Sequence, residues 1–373
     1  MSYKRHPTRL RDFGAFASDI STLATLRMTI VKRAEVMAET ALEEKQPIPF
    51  VRKKKKWVNI TVRVLLTLLL FALLFKSVSW SLLMASLAHM HHGMLLVGLV
   101  VGSCGIVLSA YQWRSLLHAE RITTDLANLV NLYIVGIAFS HFLPTGMGGD
   151  AVKVLYVGRS SGNSAGSASA AVMCRVTGFF GMLLIALPTL LIWHSHFNAN
   201  LVISFVLLAV LVAGMIGGAV FAVIWLPRLL KRRWMKHRIL SSVLKVGSAL
   251  SKTAKVPRIL LIASLYGIVF WIVAVLNCYC YAEALRLDVP LYFYFFVIPL
   301  ISLVSFLPIS INGFGLRESA FVYAFATVHV PSAPALLLAL LMDVQALFFA
   351  VVGGFVYLSL SEKAKDAQAT RAA

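Results

Sequence analysis

Six long apolar stretches dominate the sequence and restrict what the chain can fold into. A helix needs about 20 consecutive apolar residues to cross the hydrocarbon core of a bilayer, and each of these stretches is long enough. They lie near residues 57–76, 93–113, 168–193, 200–226, 257–281 and 335–360. Only 13% of the residues are charged, about half the share that is typical of a soluble domain. The sequence therefore predicts an all-α polytopic membrane protein.

Tryptophans lie at or near the ends of these stretches, where the membrane meets water. An aromatic belt at this depth is typical of membrane-spanning helices. The residues concerned are Trp57, Trp80, Trp113, Trp193 and Trp225. We interpret all five as interfacial residues that mark the ends of the spans.

Basic residues are concentrated beside the apolar stretches. The net charge is +20, and residues 1–56 and 227–258 supply most of the excess, whereas 77–92 and 193–199 contain no lysine or arginine. Positive charge accumulates in cytoplasmic loops. We therefore expect a bacterial inner-membrane protein with both termini in the cytoplasm and its basic segments on anionic lipid headgroups. A nucleic-acid partner is not expected, because no folded module carries this charge.

The chain divides by composition into a basic cytoplasmic tail (1–56), a membrane domain (57–360) and a short cytoplasmic C-terminal tail (361–373). A 56-residue tail is too short for a typical catalytic domain. The sequence also lacks a nucleophile elbow, a Walker A motif and a zinc signature. We expect neither an enzymatic activity nor a cofactor.

Two segments between the spans are apolar yet too short or too interrupted to cross the membrane. The run 127–143 is followed by Pro144 and several glycines, and 291–330 contains Pro299, Pro308 and further glycines. The loop charges require each segment to begin and end on one side of the membrane. The simplest solution is a pair of re-entrant hairpins, the first entering from the cytoplasm and the second from the opposite face.

The two hairpins resemble each other in sequence. The first reads Phe142-Leu143-Pro144, then Gly148-Gly149-Asp150 and Lys153, and the second reads Phe306-Leu307-Pro308, then Gly313-Phe314-Gly315 with Arg317-Glu318. Full spans flank each hairpin, which defines repeat units near 93–193 and 257–360, linked by the span 200–226 and the basic loop 227–256. Since one span separates the units, they run in opposite directions. Inverted repeats with broken helices are typical of transporters.

Cations near the hairpins indicate a site for a negatively charged group. Non-helical backbone at membrane depth must face protein or water, and a glycine turn before a helix exposes backbone N–H groups to an anion. We expect Gly148, Gly149, Gly313 and Gly315 to approach a phosphate headgroup together with Lys153, Arg175 and Arg317. Arg175 has an alternative role in a salt bridge, for example with Asp150.

Three acids accompany these cations. Asp150 and Glu318 follow the glycine turns, where a carboxylate caps the start of a helix. Asp343 lies inside the last apolar stretch, where a charge is functional by default. We expect Asp343 to pair with Arg317 or Arg175, and the alternative is that it carries a proton during transport.

Histidines cluster on the two loops assigned to the outside. They are His89, His91, His92, His194 and His196. Their spacing follows no ligand pattern, and neither an acid nor a cysteine accompanies them. We expect no metal site.

These motifs together resemble those of the lysylphosphatidylglycerol synthase transmembrane family, also called the flippase-like family. The resemblance covers about 57–360. It rests on Phe142-Leu143-Pro144 with Gly148-Gly149-Asp150, on Arg175 after the small-residue run 160–171, and on Phe306-Leu307-Pro308 with Gly313, Gly315 and Glu318. Asp343 departs from the pattern, because many members carry an arginine in the last span.

The resemblance implies a protein that moves lipids between leaflets, such as aminoacyl phospholipids, polyprenyl-linked lipids or hopanoid-type lipids. Bifunctional members also carry a soluble aminoacyltransferase domain, which this sequence lacks. We therefore expect a flippase or transporter for an anionic or phosphate-bearing lipid. Two alternatives remain open: a non-catalytic membrane partner of a lipid-modifying enzyme, and a synthase-like enzyme. The sequence does not indicate an oligomeric state.

Overall fold

The computed structural model describes residues 80–142, 148–229, 238–306, 310 and 313–372. Over these residues the chain forms eleven α-helices and one 3-10 turn, and no strand. The α-helices, numbered α1 to α11 in chain order, are Trp80–Ala88, His92–Ala119, Leu126–Phe142, Gly148–Ser160, Ser164–Trp193, Ala199–Leu229, Arg238–Thr253, Pro257–Ala284, Leu291–Ser305, Leu316–Ala326 and Ser332–Ala372. The described residues from 80 to 356 lie in one compact unit, and those from Tyr357 onwards belong to a second.

Five of the helices are long and apolar enough to cross a membrane. The qualifying ranges are His92–Ala119, Ser164–His196, Ala199–Gly218, Pro257–Ala284 and Ser332–Ser359. They confirm five of the six predicted stretches and establish a multi-pass membrane protein, while the predicted span 57–76 lies outside the described residues. The apolar helices α3 and α9 are shorter, with 17 and 15 residues.

Local sequence signals explain where two of the long helices begin. Asn163 precedes α5, and its side-chain oxygen accepts a hydrogen bond from the N–H of Gly166 at 2.9 Å, which satisfies one free donor of the first turn. Pro257 is the first residue of α8. Proline suits this position because its missing N–H would have no partner in the helix.

The first hairpin consists of α3 and α4, which fold back on each other. Gly149 lies against Gly136 so closely that a Cβ on Gly149 would overlap the Gly136 carbonyl oxygen. The Gly149 N–H donates to Ser140 Oγ at 3.2 Å, and the side chain of Lys153 also lies beside Gly136. These contacts pair positions in opposite order along the two helices, so α3 and α4 are antiparallel.

The second hairpin consists of α9 and α10 and has the same form. The ring centroids of Phe293 and Phe325 lie 5.3 Å apart, and Gly313 lies beside Ser305 nearer the turn. Gly313 and Gly315 both have φ of +81°. Only glycine adopts this conformation readily, which explains its presence at both positions of the turn.

The helices of the two predicted repeat units correspond one to one. The first two pairs of helices begin 165 residues apart (92 and 257, 126 and 291), and the next two pairs 168 residues apart (148 and 316, 164 and 332). Thus α2, α3, α4 and α5 have α8, α9, α10 and α11 as their counterparts. The near-constant separation supports an internal repeat.

The contact between α2 and α8 shows the relative direction of the repeats. Gly98 lies against Tyr281, Gly105 against Phe270, and Gln112 donates to the carbonyl of Ala263. Residue numbers rise along α2 as they fall along α8, so these equivalent helices run antiparallel. This is the relative direction that the predicted inverted repeat requires of α2 and α8.

The structure adds two helices to segments that we predicted only as loops. Helix α1 lies within 77–92, and α7 lies within the basic loop and packs against α5 and α6. Glu120 holds the end of α7, because its carboxylate accepts hydrogen bonds from Thr253 Oγ1 and from Ser169 Oγ.

Trp113 is not an interfacial residue, contrary to our interpretation of the tryptophans. Its side chain is buried, and its ring packs edge-on against Tyr133 with centroids 5.9 Å apart. The sequence was misleading because the apolar stretch ends near Trp113, whereas the helix continues to Ala119.

Candidate functional site

Two neighbouring cavities lie where the first hairpin meets the long helices. The smaller has a volume of about 210 Å³ and the larger about 500 Å³. They share six lining residues: Ser109, Tyr133, Asp150, Lys153, Phe270 and Trp271. Arg175 lines only the smaller cavity, and Arg317 lines only the larger one. The three predicted cations therefore line two adjoining cavities.

Lys153, Asp150 and Arg175 form the first ion cluster. Lys153 Nζ lies 2.8 Å from Asp150 Oδ1, and Arg175 Nε donates to Asp150 Oδ2 at 3.0 Å. Lys153 is buried, and its ammonium lies 3.7 Å from the centroid of the Tyr133 ring, a favourable cation–π arrangement. Two cations share one carboxylate, so the cluster carries one positive charge in excess.

Arg317 and Asp343 form the second ion pair, between α10 and α11. Their side chains are 28% and 15% exposed, compared with 48% for Arg175. This confirms one of the two pairings expected for Asp343. In contrast to the first cluster, the pair is electrically neutral.

Arg175 and Asp343 occupy equivalent places in the two repeats and have opposite charges. Arg175 is the twelfth residue of α5, and Asp343 is the twelfth residue of α11. Each pairs with a residue in the first turn of the preceding hairpin helix, Asp150 in α4 and Arg317 in α10. The departure of Asp343 from the family pattern is thus matched by Arg317, its partner.

A second pair of equivalent contacts was missed by the sequence reasoning. In the first repeat, Gln112 Nε2 donates to Thr177 Oγ1 at 3.0 Å and to the Ala263 carbonyl at 3.2 Å. In the second repeat, Asn277 Nδ2 donates to Gln345 Oε1 at 2.8 Å, and Gln345 Nε2 donates to the Gly98 carbonyl at 3.3 Å. We call these four polar side chains the amide seam. Its signal in the sequence is the 165-residue interval that separates Gln112 from Asn277.

The glycines and acids of the hairpins have several roles. Glu318 Oε2 accepts from the Gly315 N–H at 2.5 Å, which is the predicted capping contact. The oxygens of Asp150 instead contact Lys153 and Arg175. Gly149 lines the larger cavity, although its N–H already donates to Ser140. The other three predicted headgroup glycines lie outside the lining of both cavities: Gly148, Gly313 and Gly315.

Aromatic side chains bring the two hairpins together beside the cavities. The ring centroids of His141 and Phe314, which lie near the two turns, are 6.3 Å apart. Phe306 lines the smaller cavity, and its ring centroid lies 5.8 Å from Arg175 Cζ. The second hairpin thus contributes directly to the cavity that contains the first ion cluster.

Five long apolar helices and interior cavities lined by Lys153, Arg175 and Arg317 define a multi-pass membrane protein with cations in its interior. The chain belongs to the family of the lysylphosphatidylglycerol synthase transmembrane region, whose model matches residues 60–354. This confirms the resemblance seen in the sequence. The match is to the transmembrane region alone. No curated protein and no solved structure matches the chain.

Proposed function

We propose that the protein moves a lipid with a phosphate-bearing, anionic headgroup between the two leaflets of the membrane. The observation that carries this proposal is the excess positive charge of the first ion cluster, where Lys153 and Arg175 share the carboxylate of Asp150. A surplus charge in an apolar setting is costly. A bound phosphate offsets that cost by neutralising it.

Arg175 is the residue best placed to bind the phosphate first. Its side chain is 48% exposed and lines the smaller cavity, whereas that of Lys153 is only 10% exposed. A guanidinium can engage two phosphate oxygens at once through its planar fork of donors. The phosphate then competes with Asp150 for Arg175. The ammonium of Lys153, on the other side of Asp150, adds electrostatic attraction.

Trp113 supplies a further donor in the smaller cavity. Its Nε1 is buried and has no hydrogen-bond partner among the described residues. A buried donor without a partner loses the hydrogen bond it would make with water. A phosphate oxygen would satisfy it, which supports an acceptor-rich ligand in this cavity.

The opposed repeats provide a route between leaflets. In this proposal the hairpins are re-entrant and approach from opposite faces of a bacterial inner membrane with both termini in the cytoplasm. The headgroup occupies the cavities between them, while the acyl chains stay in the bilayer beside the exposed edge of Phe306. Rocking of one repeat against the other then opens the site to each leaflet in turn.

Transport can be tested with the purified protein in liposomes that contain labelled phosphatidylglycerol. Arg175→Gln should slow exchange of the label between leaflets about tenfold, because it removes the charge-assisted contact with the phosphate. Arg159→Gln is the matched control, since Arg159 is exposed near the end of α4 and lines neither cavity. Equal rates for Arg175→Gln, Arg159→Gln and the unchanged protein would contradict the proposal.

A protein that moves no lipid but copurifies with a lipid-modifying enzyme would support the role of a partner instead.

A further inference from the structure

The amide seam is symmetric in position but not in hydrogen bonding. In the first repeat, the Gln112 amide nitrogen donates to two protein acceptors, Thr177 Oγ1 and the Ala263 carbonyl. In the second repeat, the carbonyl equivalent to that of Ala263 belongs to Gly98, and it accepts a hydrogen bond from Gln345 instead of from Asn277. The Asn277 nitrogen donates to Gln345 and also lies near Met342 Sδ. The Asn277 Oδ1 is buried and has no partner among the described residues. The second repeat thus contains a spare acceptor.

The orientation of the Asn277 amide follows from the rest of the seam. The Gly98 carbonyl can only accept, so it must face the nitrogen of Gln345. The oxygen of Gln345 therefore faces Asn277, and the Asn277 nitrogen donates a hydrogen bond to it. The spare atom of Asn277 is therefore the oxygen, and a ligand that satisfies it must donate a hydrogen bond.

Asn277 lies in the wall of the larger cavity. The residue is 7% exposed and lines that cavity together with Arg317 and Ser302. Two other buried hydroxyls without a partner among the described residues, those of Tyr294 and Ser310, line neither cavity. Trp113 Nε1 is thus an unpartnered donor beside the surplus positive charge of the smaller cavity, and Asn277 Oδ1 is an unpartnered acceptor in the wall of the larger cavity, among the described residues.

We infer that the larger cavity is a subsite for the part of the headgroup beyond the phosphate, and that Asn277 Oδ1 accepts a hydrogen bond from it. The preferred substrate is then a phosphodiester lipid whose headgroup carries a hydrogen-bond donor, either a hydroxyl or an ammonium. This inference rests on the proposed function, because it takes the phosphate to lie at Lys153 and Arg175. It adds that Asn277 determines specificity.

Two lipids of equal charge test the subsite. Phosphatidylglycerol and phosphatidylmethanol are both monoanionic phosphodiesters, but only the glycerol headgroup carries hydroxyls. The purified full-length protein should bind short-chain phosphatidylglycerol about five- to tenfold more tightly in a calorimetric titration. Asn277→Leu should abolish this preference and leave the affinity for phosphatidylmethanol unchanged. Phosphatidylethanolamine, measured in parallel, identifies the donor as an ammonium if it binds more tightly than phosphatidylglycerol.

Gln112→Leu is the matched control, because it removes the equivalent amide from the first repeat, and Gln112 lines the smaller cavity but not the larger one. It should lower stability while the preference for phosphatidylglycerol is retained. If Asn277→Leu does not fold, Asn277→Ala is measured instead. The unchanged protein alone already tests whether phosphatidylglycerol binds more tightly than phosphatidylmethanol. Equal affinities of the unchanged protein for both phosphodiesters, or a preference that persists without Asn277, would overturn the subsite. If neither lipid binds, or if Arg175→Gln weakens neither, the proposed function itself fails.

Discussion

Asp343→Asn is expected to destabilise the protein strongly, by about 3–5 kcal/mol in the free energy of unfolding. Asp343 and Arg317 form an ion pair between α10 and α11, and both side chains are mostly shielded from solvent. Removal of the carboxylate leaves the guanidinium without its counter-charge in an apolar protein within a membrane. Thermal unfolding of the detergent-solubilised protein, followed by its fluorescence, measures the loss.

Exchanging the two charges tests whether the ion pair itself, and not only the polarity of the two side chains, stabilises the protein. The double variant Arg317→Asp with Asp343→Arg should recover part of the stability that either single variant loses, since opposite charges again face each other. Asp288→Asn is the matched control, because Asp288 is an exposed acid in the loop before α9 and should change stability by less than about 0.5 kcal/mol. Equal melting temperatures for Asp343→Asn and Asp288→Asn would refute the role of the pair.

Gly149→Ala is expected to prevent closure of the first hairpin. The added methyl group would overlap the carbonyl oxygen of Gly136 and lie 2.5 Å from Ser140 Oγ. The backbone of α3 cannot yield as a flexible side chain can, so α3 and α4 must move apart and lose the hydrogen bond between Gly149 and Ser140. We expect the yield of monodisperse protein to fall about tenfold.

The control for this substitution is Gly214→Ala in α6. A Cβ at Gly214 meets no atom within 4 Å, and alanine favours a helix more than glycine does. Size-exclusion profiles of the two variants, purified side by side, provide the comparison. A Gly149→Ala protein that elutes like the Gly214→Ala protein would show that α3 and α4 are not packed as described.

Much of the fold could be predicted from the sequence because membrane spans have a strong and local signal. The length of the apolar runs located five of the described helices, and the prolines and glycines near 144 and 308 indicated where the short helices break. Charge was equally informative, since a lone Asp343 in an apolar helix requires a partner and Arg317 was one of two candidates. Each of these inferences needs only a short window of sequence.

The amide seam could not be predicted in the same way. Gln112 and Gln345 are ordinary polar residues in apolar helices, and nothing near them in sequence shows which helix each one faces. Their partners are 65 and 68 residues away, Thr177 and Asn277, and the carbonyl acceptors lie in the opposite repeat. The contacts follow only once α2 and α8 are known to run antiparallel. The helices α1 and α7 were missed for another reason, since short helices within loops leave no long apolar run.

The antiparallel contact of α2 with α8 has the geometry of a homodimer whose two subunits have been joined into one polypeptide. In a symmetric dimer every position occurs twice with the same residue, so an arginine at the place of Arg175 would be present in both halves. Joining the halves frees the two copies to diverge, and here one place holds Arg175 and the other Asp343. The two ion clusters thereby differ in net charge, a difference that two identical chains in a symmetric arrangement cannot produce.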